Sequence, residues 1–112
     1  MEMYMTKVYY VASPYTGKRK TNYKNTLKWV DQLINKGYTV LSPIIHCHNL
    51  PSAKKLPPAF WYEYDMHLLN KCDGIIMCPG YIHSYGCMLE LQEAFRLDLE
   101  ILLLRDCLEN ES

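Results

Sequence analysis

Neither charge is in excess. Twelve basic residues balance twelve acidic ones. That argues against a nucleic-acid coat and against a membrane-surface protein, both of which need a basic surplus. No apolar run approaches the roughly 20 residues that span a bilayer, so no membrane partner is expected. Met1-Glu2-Met3-Tyr4 lacks the basic start and apolar centre of a signal peptide. The five cysteines are odd in number and have no paired spacing. They read as reduced thiols of a cytoplasmic protein, not as a disulfide frame. The chain has no internal repeat, low-complexity tract or linker. Its 112 residues suffice for one domain with a real core but not for two, so 1-112 is expected to fold as a unit. What is plentiful is tyrosine, ten residues.

The patterning alternates. Lys7-Val8-Tyr9-Tyr10-Val11-Ala12 is rich in β-branched and aromatic residues and predicts an opening strand. Ser13-Pro14-Tyr15-Thr16-Gly17 is a loop by composition. Thr21 or Asn22 is placed to cap a helix on which Leu27, Val30, Leu33 and Ile34 recur at helical spacing, with Gly37 at its end. Tyr38 to Leu41 predicts a second strand. Ser42 to Pro58, with four prolines, predicts a long loop. Phe60 to Cys72 predicts a helix, with Trp61, Asp65, Leu68, Leu69 and Cys72 on one face. Asp73-Gly74 turns into a third strand, Ile75 to Cys78. Cys87 to Leu97 predicts another helix, its apolar arc centred on Cys87, Leu91, Ala94 and Phe95 with Glu90 at the edge; Leu99 to Leu104 predicts a fourth strand, and Arg105 to Ser112 a polar tail.

Such alternation implies an α/β fold: a doubly wound parallel sheet of about four strands, order 2-1-3-4, with helices on both faces. Ligands of such sheets bind at the carboxyl ends of strands, where the order reverses. Two loops converge there, Ser13 to Arg19 and Pro79 to Gly86. In the second, Ser84 and Gly86 form a turn before a helix start, and Glu90 lies one turn inside.

A first-turn glutamate is ordinarily a surface residue favoured by the helix dipole. Asp65 points to more, because an aspartate on an apolar stripe must be paired or hydrogen-bonded. Two carboxylates about one cleft suit glycosidic chemistry, one attacking the sugar carbon and the other positioning or moving protons. Asp73 is assigned to the turn. His46-Cys47-His48 does not make a metal site, since three adjacent residues do not face one ion and no second pair matches them; no metal is expected. The loop carrying them either covers a substrate, with His46 near it, or is plainly structural. Lys18, Arg19 and Lys20 are solvated surface or, from their position after the first strand's loop, a phosphate contact. Tyr9 and Tyr10 face opposite sides of the sheet, and Tyr10 is the one expected to reach the cleft.

Tyr10-Val11-Ala12-Ser13-Pro14-Tyr15, the pair Asp65 and Asp73, and Ser84-x-Gly86-x-x-x-Glu90 stand in the order and spacing of three motifs of one family. Together they resemble the nucleoside 2-deoxyribosyltransferase superfamily. Leu41 to His46 and Trp61 to Asp65 are similar to its small bacterial and phage members. The resemblance implies a flavodoxin-like sheet, homo-oligomers, and cleavage or transfer of an N-glycosidic bond without a cofactor. Glu90 would be the nucleophile at C1′, Asp65 would hold the sugar or move protons, and Tyr10 would bond Glu90 or the substrate. Ser13, Tyr15, Arg19, His46, Trp61, Ser84 and Gly86 would contact a nucleoside or nucleoside 5′-monophosphate. Many of the transferases carry an aspartate near position 84. Serine there, as in nucleotide-cleaving relatives, favours a phosphorylated substrate. The transferases also carry a C-terminal extension that this sequence lacks, which favours cleavage over base exchange. The rival readings are a non-catalytic nucleotide-binding or sensing module and a phage interaction protein on the same scaffold.

Overall fold

The computed structural model describes residues 6–109. The start Met1 to Tyr4, read above against a signal peptide, lies outside them, as do residues 110–112 of the expected tail. Four strands form one parallel sheet in the order β2-β1-β3-β4. They are β1 (Val8–Ala12), β2 (Thr39–Leu41), β3 (Gly74–Met77) and β4 (Glu100–Leu103). The central pair β1 and β3 is buried on both faces, which is why both read as unbroken apolar runs. The helices are α1 (Arg19–Asn35), α2 (Pro43–Cys47), α3 (Pro58–Asn70), α4 (Tyr85–Arg96) and α5 (Leu104–Glu109). None of the described helices is long and apolar enough to cross a membrane.

The pleat sends successive side chains to opposite faces, and each face has its own core. Tyr10, Ala12, Ile75 and Met77 pack with Leu69 and Cys72 from the α3 side and with Cys87 and Ala94 of α4. Tyr9, Val11, Ile76 and Cys78 pack with Leu33 of α1 and with Leu104 and Cys107 of α5. The architecture is therefore doubly wound, and the strand order reverses between β1 and β3. Asp73 has the turn role expected of it: its carboxylate accepts the Val8 N–H at 2.8 Å and pins the entry of β3 to the start of β1.

Several local expectations are corrected. α1 begins at Arg19, before Thr21 and Asn22, and its N-cap Lys18 supplies no side-chain cap. Asn22 instead donates to the Tyr15 carbonyl at 2.9 Å, tying the loop after β1 to the helix. The buried positions of α1 are Thr26 and Leu33, seven residues apart, while Leu27 and Ile34 are exposed at 40% and 56%. The long loop is partly helical. Ser42 caps α2 through the Ile45 N–H, with Pro43 at the first helical position, and Pro51 opens a 3-10 turn, Pro51–Lys54. On α4, Cys87 and Ala94 are buried but Phe95 is 68% exposed, so the inward arc is turned toward Glu90 and Leu91. Finally, the segment after β4 is no polar tail: Leu104 and Cys107 of α5 are buried.

Candidate active site

The carboxyl ends of β1 and β3 open into a cleft of about 1300 Å³. Gly80 brings its two loops together. It holds a left-handed φ of 89°, and a Cβ there would lie 3.2 Å from Pro14 Cγ. Ser84 then caps α4 by accepting the Cys87 N–H at 3.2 Å. Three residues after the buried Cys87 and four before the buried Ala94, Glu90 lies on the same seam of α4.

Glu90 and Asp65 line this one cleft, on adjacent helices. Behind them Tyr10, fully buried on β1, donates its hydroxyl to Glu90 Oε2 at 2.5 Å. Among the described residues Oε1 has no such partner. Burial pushes the Glu90 carboxyl up to about 8; the Tyr10 hydrogen bond opposes that rise and the Asp65 charge adds to it. Burial likewise lifts Asp65 to about 7. Burial foremost, and then the two carboxylates, hold the Tyr10 phenol well above its ordinary value. Tyr10 thus remains a proton-bearing donor throughout the neutral range. Two half-buried acids close to neutrality, with a fixed donor on one of them, can serve as nucleophile and proton carrier.

The remaining expected residues divide. Ser13, Tyr15, Arg19, Trp61, Ser84 and Gly86 all line the cleft. Ser13, however, spends its hydroxyl on Thr26 Oγ1 at 2.8 Å, and Thr26 in turn donates to the Asn22 carbonyl at 2.9 Å, so this chain of bonds fastens β1 to α1. A side chain at Gly86 would meet nothing within 4 Å. The Trp61 indole N–H is buried with no hydrogen-bond partner among the described residues, an arrangement that costs about 1–3 kcal/mol when left unmet. His46 is exposed and stands apart from the cleft. His48 lines it instead, with Nδ1 2.6 Å from the Tyr15 hydroxyl and its ring stacked on Tyr23 at 4.0 Å. The helical turn of α2 is what swaps the two histidines. Lys54 and Tyr62 also line the cleft and carried no signal in the sequence.

Among the described residues no group of three or more His, Cys, Asp or Glu side chains is arranged to hold a metal ion. Residues 7–103 match the family described as a domain of unknown function (DUF4406), and the chain belongs to that family. No curated protein matches it significantly.

Proposed function

We propose that this protein cleaves or transfers the N-glycosidic bond of a nucleoside or nucleoside 5′-monophosphate, with Glu90 as the nucleophile. The observation that carries the reading is the Tyr10–Glu90 hydrogen bond beside Asp65 at the sheet's switch point. Glu90 Oε1 attacks C1′ and the C1′–N bond breaks, its electron pair passing to the base. The two acids hold one proton between them: when Glu90 is ionised and attacks, Asp65 carries that proton and supplies it to the departing base. Water or a second base then attacks C1′ of the glycosyl-enzyme. The Asp65 carboxylate accepts the released proton, and Glu90 is freed. Tyr10 holds Oε2 in place during both steps. Covalent catalysis of this kind splits one difficult displacement into two easier ones, and it calls on no cofactor.

The resemblance to the nucleoside 2-deoxyribosyltransferase superfamily supports the same reading, since Tyr10, Asp65 and Glu90 are the positions its motifs match. We also place the protein in the cytoplasm, on the ground that all five cysteines are free thiols. We propose a homo-oligomer, because Ile82, Tyr85, Met88 and Phe95 leave a line of exposed apolar side chains along α4 and the turn before it. The test of the activity is release of free base from a panel of nucleosides and nucleotides, read by chromatography, together with mass spectrometry of Glu90 for a trapped sugar. Wild-type release that Glu90→Gln reduces by orders of magnitude supports the reading. Binding of the same nucleotides with no base released would leave a nucleotide-binding module in its place.

A further inference from the structure

Charge is divided within the cleft. The two acids stand on α3 and α4, with Tyr10 behind them. Three basic side chains come from other segments, Arg19 from the start of α1, His48 from just after α2 and Lys54 from the 3-10 turn after it, while His83 stands on the turn that leads into α4, beside the acids. Arg19 and Lys54 have no carboxylate within ion-pairing distance among the described residues. The guanidinium of Arg19 lies over the Tyr15 ring, 5.5 Å from its centroid. The Tyr15 hydroxyl bonds His48 Nδ1, and Tyr23 stacks on the other side of that imidazole. That bond occupies Nδ1 and leaves Nε2 as the ring nitrogen without a protein partner among the described residues. Arg19 and His48 are therefore held by one set of aromatic contacts, and unpaired cations face a cavity rather than an acid.

The size of the cavity agrees with a ligand that reaches from one group to the other. At about 1300 Å³ it exceeds the roughly 300–1,000 Å³ usual for small-molecule sites. The turn at Ser84 is a poorer place for an anion. Its hydroxyl oxygen is engaged in capping α4, and the Glu90 carboxylate follows on the same helix, where an added negative charge would be repelled.

We infer that Arg19, His48 and Lys54 form an anion subsite for a phosphate of the substrate, so that the protein acts on phosphorylated nucleosides in preference to free ones. This rests on the glycosidic reading of Glu90 and specifies its substrate class. A guanidinium and an ammonium suit a phosphate ester, through paired and single charge-assisted hydrogen bonds respectively.

The experiment uses full-length Glu90→Gln protein, which binds without turnover, and calorimetry with matched 2′-deoxynucleosides, their 5′-monophosphates and inorganic phosphate. For the preferred base the monophosphate should bind at least ten-fold more tightly than the nucleoside, and the ratio should fall as salt rises from 50 to 500 mM. Adding Arg19→Ala and Lys54→Ala should bring that ratio close to one, whereas Lys54→Arg should retain most of it. Both side chains are exposed, so a thermal melt should show the fold intact. Equal affinity for nucleoside and monophosphate, a preference that survives the double substitution, or no binding of any probe at millimolar concentration would overturn the subsite. If the preference appears as stated but wild-type protein releases no base, the subsite stands and the cleavage reading falls.

Discussion

Glu90→Gln should make the protein more stable, and more so as the pH rises. The Glu90 carboxyl ordinarily titrates near 4.5 and is pushed up to about 8 in the fold. A carboxyl raised in this way favours the folded state while protonated. That contribution is complete below about pH 4.5 and is lost progressively until about pH 8. Glutamine cannot ionise and loses nothing over the same range. A gap of about 3.5 pH units, at about 1.4 kcal/mol per unit, caps the difference near 5 kcal/mol. Glu90 is half-buried and titrates together with Asp65, so about 2–3 kcal/mol at pH 9 is the expected size. Urea denaturation of both proteins at intervals from pH 4.5 to 9 reads the difference directly from the midpoints. The two curves should meet at the acid end and separate steadily above it. Parallel curves, or a glutamine variant less stable at pH 9, would refute the claim that this carboxyl is held in an environment hostile to its charge. The poised acid of the proposed mechanism would be refuted with it. A stabilising substitution at the nucleophile is the expected signature of a site kept at some cost to the fold.

Tyr10→Phe removes the donor that opposes burial at Glu90, so the rising limb of kcat/KM should move to higher pH and base release at pH 7 should drop about ten-fold or more; an unchanged profile would remove Tyr10 from the site. Asp65→Asn removes a charge that lifts Glu90, so the same limb should move to lower pH even as the rate falls; this is read from the pH profile of whatever activity remains. Gly74→Ala should cost about 1–3 kcal/mol in denaturant titration, since its Cβ would meet Tyr9 Cε1 at 2.6 Å and the Glu100 carbonyl oxygen at 2.8 Å. Phe95→Asp should give a monomer by light scattering at micromolar concentration where the wild type is larger; a monomeric wild type would remove the α4 face as a subunit contact.

The sheet was legible because buried parallel strands leave a plain mark. Val8 to Ala12 and Gly74 to Met77 are apolar without a break, and regular alternation with helical stretches dictates the winding. Asp65 and Glu90 were legible for the opposite reason, as charges on or beside stripes that should be apolar. Short elements were not. A five-residue α2 and a six-residue α5 cover too few turns to display a period. With α2 unrecognised, His46 and His48 could not be told apart, because which one faces inward depends on a helical rotation. Phe95 was misread for a related reason: Ala94, one position away, has the seat against the sheet.

The order of hydrophobic and polar residues by itself determined the layers, the strand order and the location of the cleft, since burial acts on local pattern. Only the tertiary structure decided the company each functional group keeps. Tyr10 and Glu90 are 80 residues apart, and Arg19, His48 and Lys54 come from three separate segments. That these groups face one cleft, and that desolvation lifts both acids toward neutrality, follows once the helices are packed on the sheet and not before.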